Sequence, residues 1–275
     1  MMISLVVLLF GLIVGSFLNV CIARLPEGIS IVTPRSRCPR CKAQIAWFDN
    51  IPLISYLLLR AKCRHCGLPI SIRYPLVELL NGLLYLWSVH EFGLGGETLL
   101  AMTLCSSCIV ITFVDLDHMI IPDVITLPGM VIGLAVAPFF MTALMDPLPF
   151  GFSTVLPDGP YLRGFWNALL GLVAGGAPLF LIGWAWEKLR KIEAMGGGDV
   201  KLMGMIGSFL GWKSALLTIM LGAMSGAIVG GTMVALKRHK PENVIPFGPF
   251  LAGGALLSLF YGNDILVWYL DMLRI

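Results

Sequence analysis

Charged residues are scarce in this chain. Asp, Glu, Lys and Arg together make up 13% of its 275 residues, whereas hydrophobic residues make up 57%. A soluble globular domain carries about 25% charged residues. The shortage of charge excludes an ordinary soluble enzyme, and the composition instead predicts an integral membrane protein.

Long runs without charge divide the chain into membrane segments. Each is about long enough to span the ~30 Å hydrocarbon core as a helix, although one of them, 74–90, contains Glu78. An eighth candidate, 202–212, would reach only about 16 Å, so we expect a short or partly re-entrant helix there. We therefore predict an all-α polytopic membrane protein with about eight transmembrane helices. The seven longer runs are 1–23, 74–90, 98–114, 124–145, 164–186, 214–236 and 243–263.

The polar residues between these runs suggest three parts. The first run has no basic residues before it, which favours a retained membrane helix over a cleaved secretory signal. Residues 24–73 form the only substantial polar segment and are expected to be a small cytoplasmic insert. We predict a first transmembrane helix at 1–23, a cytoplasmic metal-binding domain at 24–73 and a seven-helix core at 74–275.

The positions of Lys and Arg predict the orientation. With the N-terminus outside, sixteen of the nineteen basic residues fall on the cytoplasmic side, and only Arg163, Lys213 and Arg274 fall outside. This is the positive-inside pattern. The net charge of +3 therefore reflects topology rather than a nucleic-acid-binding surface, and anionic lipid is the partner we expect for the basic residues.

Two aspartates lie where an apolar run meets a polar break. Asp115 ends the run 98–114, and Asp199 precedes the short segment 202–212. In the predicted topology both carboxylates lie at the cytoplasmic ends of their helices, at one depth. A pair of carboxylates can perform acid–base hydrolysis, because one activates water while the other, still protonated, polarises a carbonyl. Asp115 and Asp199 are therefore our candidate catalytic residues, although ordinary boundary residues that solvate helix ends would look similar.

Neighbouring residues compete for, or support, these roles. Asp117 and Asp123 lie close to Asp115 and could instead orient the site or face water. Three glycines, 196–198, precede Asp199, and their lack of side chains would let another chain approach closely. That property suits an enzyme with an extended peptide substrate, but a glycine run alone is weak support.

Paired cysteines predict a metal site in the 24–73 segment. Cys38 and Cys41 form one Cys-x-x-Cys pair, and Cys63 and Cys66 form a second after twenty-one residues. This is the spacing of a four-thiolate zinc ribbon. Disulfides are the alternative, but thiols in a cytoplasmic segment stay reduced. We expect a structural Zn²⁺ that holds the segment together. The cysteines in apolar runs are expected to be buried small hydrophobic residues: Cys21, Cys105 and Cys108.

Further motifs run in order along the chain. With the cysteine pairs and the Asp115 cluster, they resemble the bacterial type IV prepilin peptidases, which serve type IV pili and type II secretion. The resemblance covers nearly the whole chain. The motifs are Gly15-Ser16-Phe17-Leu18-Asn19-Val20, Arg24-Leu25-Pro26, Asn50-Ile51-Pro52-Leu53-Ile54-Ser55-Tyr56, Arg73-Tyr74-Pro75-Leu76-Val77-Glu78, Gly196-Gly197-Gly198-Asp199-Val200-Lys201 and Pro246-Phe247-Gly248-Pro249.

The resemblance implies both an activity and its substrates. It makes Asp115 and Asp199 the catalytic dyad of a membrane aspartyl protease in the bacterial inner membrane. The implied substrates are prepilins and pseudopilins, whose short basic leader is cut after a glycine at the cytoplasmic face. Relatives with the cysteine-bearing segment also methylate the new α-amine with S-adenosylmethionine. No sequence motif indicates where the methyl donor binds. Glu78 is a candidate for the peptidase site or for the methyl-donor site. It could equally be a structural partner of Arg73 or Lys201.

Two other classes of protein remain as alternatives. A proton- or ion-coupled transporter also uses intramembrane carboxylates and short helices, but it would not explain the cysteine pairs. A docking protein could use the zinc ribbon as its binding module, and the aspartates would then be dispensable.

Overall fold

The computed structural model describes residues 2–140, 160–191, 196–236 and 245–273, and the regular elements in these ranges are helices. Apart from two isolated bridges, no strand occurs in the described ranges. The predicted all-α class is confirmed. The helices are α1 (Met2–Arg24), α2 (Ile54–Leu58), α3 (Arg73–Phe92), α4 (Gly96–His118), α5 (Asp123–Ala135), α6 (Ala137–Phe140), α7 (Pro160–Arg190), α8 (Gly197–Ala235) and α9 (Gly248–Leu273).

Each predicted membrane segment contains a helix. Within the described part of the chain, five helices are long and apolar enough to cross a membrane, namely α1, α4, α7, α8 and α9. The end of the run 124–145, the start of 243–263 and Arg274 lie outside the described residues. The polytopic architecture expected from the apolar runs is therefore present.

The predicted short helix 202–212 is the first part of α8. It begins earlier than expected, at Gly197, and joins the following helix without a loop. The break is at Gly211, whose φ of 78° and ψ of 172° interrupt the helical backbone. Glycine adopts positive φ without steric penalty. The fourteen residues before the break would span about 21 Å, less than the hydrocarbon core.

The chain forms two compact units, residues 1–114 and 115–275, which divide within α4. The predicted division at residues 23/24 and 73/74 was based on polarity rather than packing, and it stays a prediction.

Unit 1 is built on the packing of α1 against α3. The Asn81 side chain of α3 is fully buried, and its amide nitrogen donates to the Gly11 carbonyl of α1 at 2.7 Å. The Ser106 hydroxyl of α4 donates to the Asn81 amide oxygen at 3.0 Å. Buried polar groups need such partners. Asn81 therefore links three helices within the unit.

Unit 2 has α8 at its centre, in contact with α5, α7 and α9. All ten residues from Leu202 to Gly211 are buried. Gly171 of α7 and Gly207 of α8 pack closely, since a Cβ on either would overlap the other's backbone. Small residues allow this approach between membrane helices. The segment that starts beside Asp199 is thus fixed in the core of the unit.

Candidate active site and metal centre

Asp115 lies in the last turn of α4, where the apolar run of that helix ends. Its side chain is buried, with 5% of the residue exposed. The carboxylate atom Oδ2 accepts a hydrogen bond of 2.9 Å from the backbone N–H of Gly248, the first residue of α9. A buried carboxylate needs such a donor. Asp115 is therefore held in a defined orientation by a helix distant in sequence.

Asp199 lies in the first turn of α8, as predicted from its place before the apolar segment 202–212. It is half-buried, and its backbone N–H donates to the Gly196 carbonyl at 3.1 Å. Gly198 is close to Ile121, because a Cβ on this glycine would lie 2.9 Å from the Cβ of Ile121. The glycines thus bring the start of α8 against the segment between α4 and α5.

The two aspartates belong to the same compact unit. The carboxylate of Asp115 acts electrostatically on that of Asp199, so the fold brings the pair within range of each other. In a poorly solvated site, the charge on one carboxylate disfavours ionisation of the other. The arrangement is compatible with one acid and one base, the combination that hydrolysis needs.

The competing acids have other surroundings. Asp123, the first residue of α5, accepts hydrogen bonds from the Lys201 ammonium at 2.7 and 2.8 Å. Both side chains are about half exposed, so the pair contributes at most about 1 kcal/mol. It connects the start of α5 with α8 at a position two residues beyond Asp199. Asp117 is exposed at the end of α4.

The four cysteines of the polar segment converge within unit 1. Their sulfur atoms all lie within 4.8 Å of one another, and those of Cys38 and Cys66 are 4.0 Å apart. A tetrahedral zinc site with Zn–S bonds of about 2.3 Å places its sulfurs about 3.8 Å apart. The cluster, made of Cys38, Cys41, Cys63 and Cys66, therefore fits a metal such as zinc.

Each cysteine pair forms the same knuckle. The Cys38 N–H donates to the Ala43 carbonyl, and the Cys63 N–H donates to the Leu68 carbonyl, both at 2.9 Å. The backbone N–H of Cys41 is the main group that lowers the pKa of Cys38, to about 6. N–H donors aimed at sulfur favour the thiolate, which is the form that binds metal.

An ion pair ties the second knuckle to the preceding turn. Arg64 donates to both carboxylate oxygens of Asp49, at 2.8 and 2.6 Å. The hydrogen bonds from this guanidinium hold the pKa of Asp49 below its usual range. The Arg64 side chain also lies over the ring of Phe48, with 5.4 Å to the centroid. Contacts other than those of the cysteines therefore also hold the 24–73 segment together.

The remaining cysteines are buried among apolar residues, as predicted. Cys21, Cys105 and Cys108 are at most 8% exposed. Two residues that contact the candidate site residues Asp115 and Glu78 were given no role in the sequence analysis. One is Gly248, which donates to Asp115 and was recognised only as part of a motif. The other is Leu53, whose N–H donates to Glu78 Oε2 at 2.9 Å. The helix start at Pro246-Phe247-Gly248-Pro249 was the available signal for the first.

The apolar helices define a multi-pass membrane protein, which carries a pair of interacting aspartates and a cysteine cluster that fits a metal. The family profile described as "Bacterial Peptidase A24 N-terminal domain" matches residues 9–92. The profile described as "Type IV leader peptidase family" matches residues 102–231. The chain belongs to the type IV leader peptidase family, as the motifs predicted, and is an inner-membrane protein.

Curated relatives with the name "Prepilin leader peptidase/N-methyltransferase" support this assignment. One from Aeromonas hydrophila is 37% identical, over 96% of this chain and 92% of the relative. One from Stutzerimonas stutzeri is 34% identical, over 98% of this chain and 94% of the relative. One from Myxococcus xanthus is 44% identical over 82% of this chain, but the match spans only 61% of that longer relative. No solved structure matches the chain at a significant level.

Proposed function

We propose that this protein is a membrane-embedded aspartic endopeptidase that removes the leader of type IV prepilins and pseudopilins. It then N-methylates the new N-terminal residue with S-adenosylmethionine as methyl donor. The names of the relatives support both activities. The products serve type IV pilus assembly or type II secretion.

One observation carries the peptidase assignment. Asp115 lies in the last turn of α4 and Asp199 in the first turn of α8. The two side chains nevertheless interact electrostatically within unit 2. Carboxylates inside membrane segments are costly and are usually functional. A transporter would also use such acids, but family membership and the cysteine cluster favour the peptidase.

In the proposed mechanism the pair shares one proton. The ionised carboxylate accepts a proton from water, and the resulting nucleophile attacks the scissile carbonyl carbon. The protonated carboxyl donates its hydrogen bond to the carbonyl oxygen and stabilises the negative charge that develops there. Proton transfer to the leaving amine then completes cleavage. The N–H of Gly248 keeps Asp115 oriented throughout.

The glycines before Asp199 leave room for the substrate. Among the described residues, no atom outside its own helix backbone and chain neighbours lies within 4 Å of the position that a Cβ on Gly197 would occupy. An extended peptide with a glycine before the cleaved bond could approach the carboxylates here. The positive-inside pattern supports a periplasmic N-terminus and cleavage at the cytoplasmic face, with the basic segment near anionic lipid.

The cysteine cluster holds a structural Zn²⁺ in this proposal. Cys38, Cys41, Cys63 and Cys66 would each supply one thiolate, which closes the coordination shell and leaves no open position for catalysis. A polar segment of about fifty residues buries little core, so the metal would contribute much of its folding free energy.

The direct test is an assay of the purified protein in detergent with a prepilin, followed by mass spectrometry of the product. The proposal expects a pilin shortened by its leader and heavier by one methyl group when S-adenosylmethionine is added. An uncut prepilin would refute the peptidase assignment. A cut but unmethylated pilin would refute the methyltransferase half alone.

A further inference from the structure

Unit 1 contains a cavity that the peptidase chemistry does not use. Its volume is about 420 Å³, within the range of small-molecule and cofactor sites. The walls come from the second half of α1, the cysteine-bearing segment and the start of α3. Polar side chains from all three parts line it, including Ser16, Asn19, Asn50, Tyr56 and Glu78.

Three of the sequence motifs without a role in hydrolysis meet at this cavity. The motif 15–20 contributes Ser16, Asn19 and Val20, and the motif 73–78 contributes Tyr74, Pro75 and Glu78. The motif 50–56 contributes five residues. The Asn19 amide donates to the Tyr74 carbonyl at 3.0 Å and joins the first motif to the third. Motifs distant in sequence therefore build one pocket.

Glu78 is the buried acid of this pocket, with 8% of the residue exposed. Its Oε2 accepts the Leu53 N–H at 2.9 Å, and its carboxylate also hydrogen-bonds with the Ser16 side chain. Leu53 has a φ of 58°, a conformation that non-glycine residues rarely adopt and that is often found at functional sites. The strained residue points its N–H at the carboxylate.

The other acid in the lining is already paired. Asp49 accepts two hydrogen bonds from Arg64. Glu78, by contrast, hydrogen-bonds with an uncharged backbone N–H and a hydroxyl, those of Leu53 and Ser16. Glu78 thus has no cation among these partners, so its carboxylate is available to accept a proton from a group in the cavity.

We infer that this cavity is the methyl-transfer site and that Glu78 takes the proton from the α-amine of the cleaved pilin. The inference rests on the proposed function and deepens its second half. The lining also includes Arg24, Arg37 and Arg40, so the cavity as a whole is not acidic. The inference therefore uses Glu78 as a proton acceptor and not as an anchor for positive charge.

The step balances in atoms and electrons. The α-ammonium of the pilin gives a proton to the Glu78 carboxylate, and the freed nitrogen lone pair forms a bond with the methyl carbon. The bond between this carbon and sulfur breaks, and its electron pair stays on sulfur as a neutral thioether. The product is a secondary amine in its protonated form, and Glu78 returns its proton to water.

The first experiment locates the methyl donor without any variant. Full-length protein in detergent is irradiated with tritiated S-adenosylmethionine, and the labelled peptides are identified by mass spectrometry. The inference expects label on peptides from residues 16–78, and an excess of unlabelled S-adenosylmethionine should prevent this labelling. Label confined to residues 115–275 would overturn it.

The second experiment compares Glu78→Gln with Glu91→Gln, an exposed glutamate on the same helix that does not line the cavity. The amide oxygen can still accept from Leu53, so donor binding by equilibrium dialysis and metal content should match the wild type. Methylation of a pre-cleaved pilin peptide should fall about 100-fold in Glu78→Gln only, because an acid–base group is lost. Prepilin cleavage should be unchanged in both variants.

The outcomes separate the two ideas. Wild-type rates of methylation in Glu78→Gln would overturn the role of Glu78 while the proposed function stands. A wild-type protein that neither cleaves nor methylates would instead refute the proposed function. If Glu78→Gln fails to fold, the photolabelling of the wild type still decides the location of the site.

Discussion

The backbone N–H of Gly248 donates to Oδ2 of Asp115 at 2.9 Å, across 133 positions of sequence. Gly248 begins α9, so Asp115 lies at the N-terminal end of that helix as well as in the last turn of its own. The N-terminal end of a helix carries partial positive charge and stabilises an ionised carboxylate. The start of α9 therefore contributes to the charge and the orientation of a proposed catalytic group.

Replacement of Gly248 by alanine should impair cleavage. A Cβ at this position would lie 2.7 Å from Asp115 Oδ2 and 3.1 Å from its Cγ, so the carboxylate must move. A displacement of about 1 Å in a catalytic group costs about 100-fold in rate. The measurement is kcat for prepilin cleavage by Gly248→Ala.

Gly253→Ala is the matched control for this variant. Gly253 lies on the same helix, and a Cβ there meets no atom within 4 Å. Its cleavage rate should equal that of the wild type. Equal rates for both variants would show that the contact between Gly248 and Asp115 does not matter for catalysis.

The sequence indicated both aspartates but not their surroundings. Asp115 and Asp199 were recognisable because each marks a boundary between an apolar run and a polar break, which is local information. The N–H of Gly248 was not predictable, because it depends on how α9 packs 133 residues later. The pairing of Asp123 with Lys201 is likewise a tertiary contact between α5 and α8. Sequence periodicity carries no such information.

The glycines before Asp199 should differ in their tolerance of alanine. A Cβ on Gly198 would lie 2.9 Å from the Cβ of Ile121, whereas a Cβ on Gly197 meets nothing within 4 Å. We expect Gly198→Ala to lower the free energy of unfolding by about 1–3 kcal/mol through overpacking. It should also slow cleavage, because Asp199 is the next residue.

Gly197→Ala serves as the comparison, since alanine in a helix is favoured over glycine by up to about 1 kcal/mol. The thermal unfolding temperature of Gly197→Ala should be at least as high as that of the wild type. The steric argument fails if Gly197→Ala is the more destabilising of the two variants.

Removal of a zinc ligand should affect the fold of the cysteine-bearing segment before it affects hydrolysis. Elemental analysis of the reduced protein should find one zinc per chain, and Cys63→Ser should lose it. Limited proteolysis should then cut within residues 24–73, because metal binding and folding are coupled. Cys105→Ser, at a buried cysteine outside the cluster, should keep its zinc. Zinc-free wild-type protein would contradict the assignment.

The two knuckles differ at one equivalent position. Lys42 and Gly67 each follow the second cysteine of a pair, with φ values of 60° and 68°. This left-handed conformation costs a residue with a Cβ about 1–2 kcal/mol. Gly67→Ala should therefore weaken zinc retention against a chelator, although a Cβ there meets no atom within 4 Å. Lys42→Gly should strengthen zinc retention. Stronger retention in Gly67→Ala together with weaker retention in Lys42→Gly would refute the conformational argument.

The cysteine cluster was the easiest part to predict, and the cavity of unit 1 the hardest. A Cys-x-x-Cys pair determines its own local turn, so the spacing of Cys38, Cys41, Cys63 and Cys66 was sufficient. The cavity combines α1, the turn at Leu53 and the start of α3. Glu78 was recognised as an isolated acid, but its N–H partner is 25 residues away and depends on a rare backbone conformation.

The central claim is that Asp115 and Asp199 act together in cleavage, and the most direct measurement is the single-turnover cleavage rate of each Asp→Asn variant. Neither amide exchanges a proton as a carboxylate does, so Asp115→Asn and Asp199→Asn should each lose at least about 100-fold. The exposed Asp264→Asn should cleave normally, and Asp117→Asn should be only mildly impaired. Processing at the wild-type rate by a folded, membrane-inserted Asp115→Asn or Asp199→Asn would contradict the account.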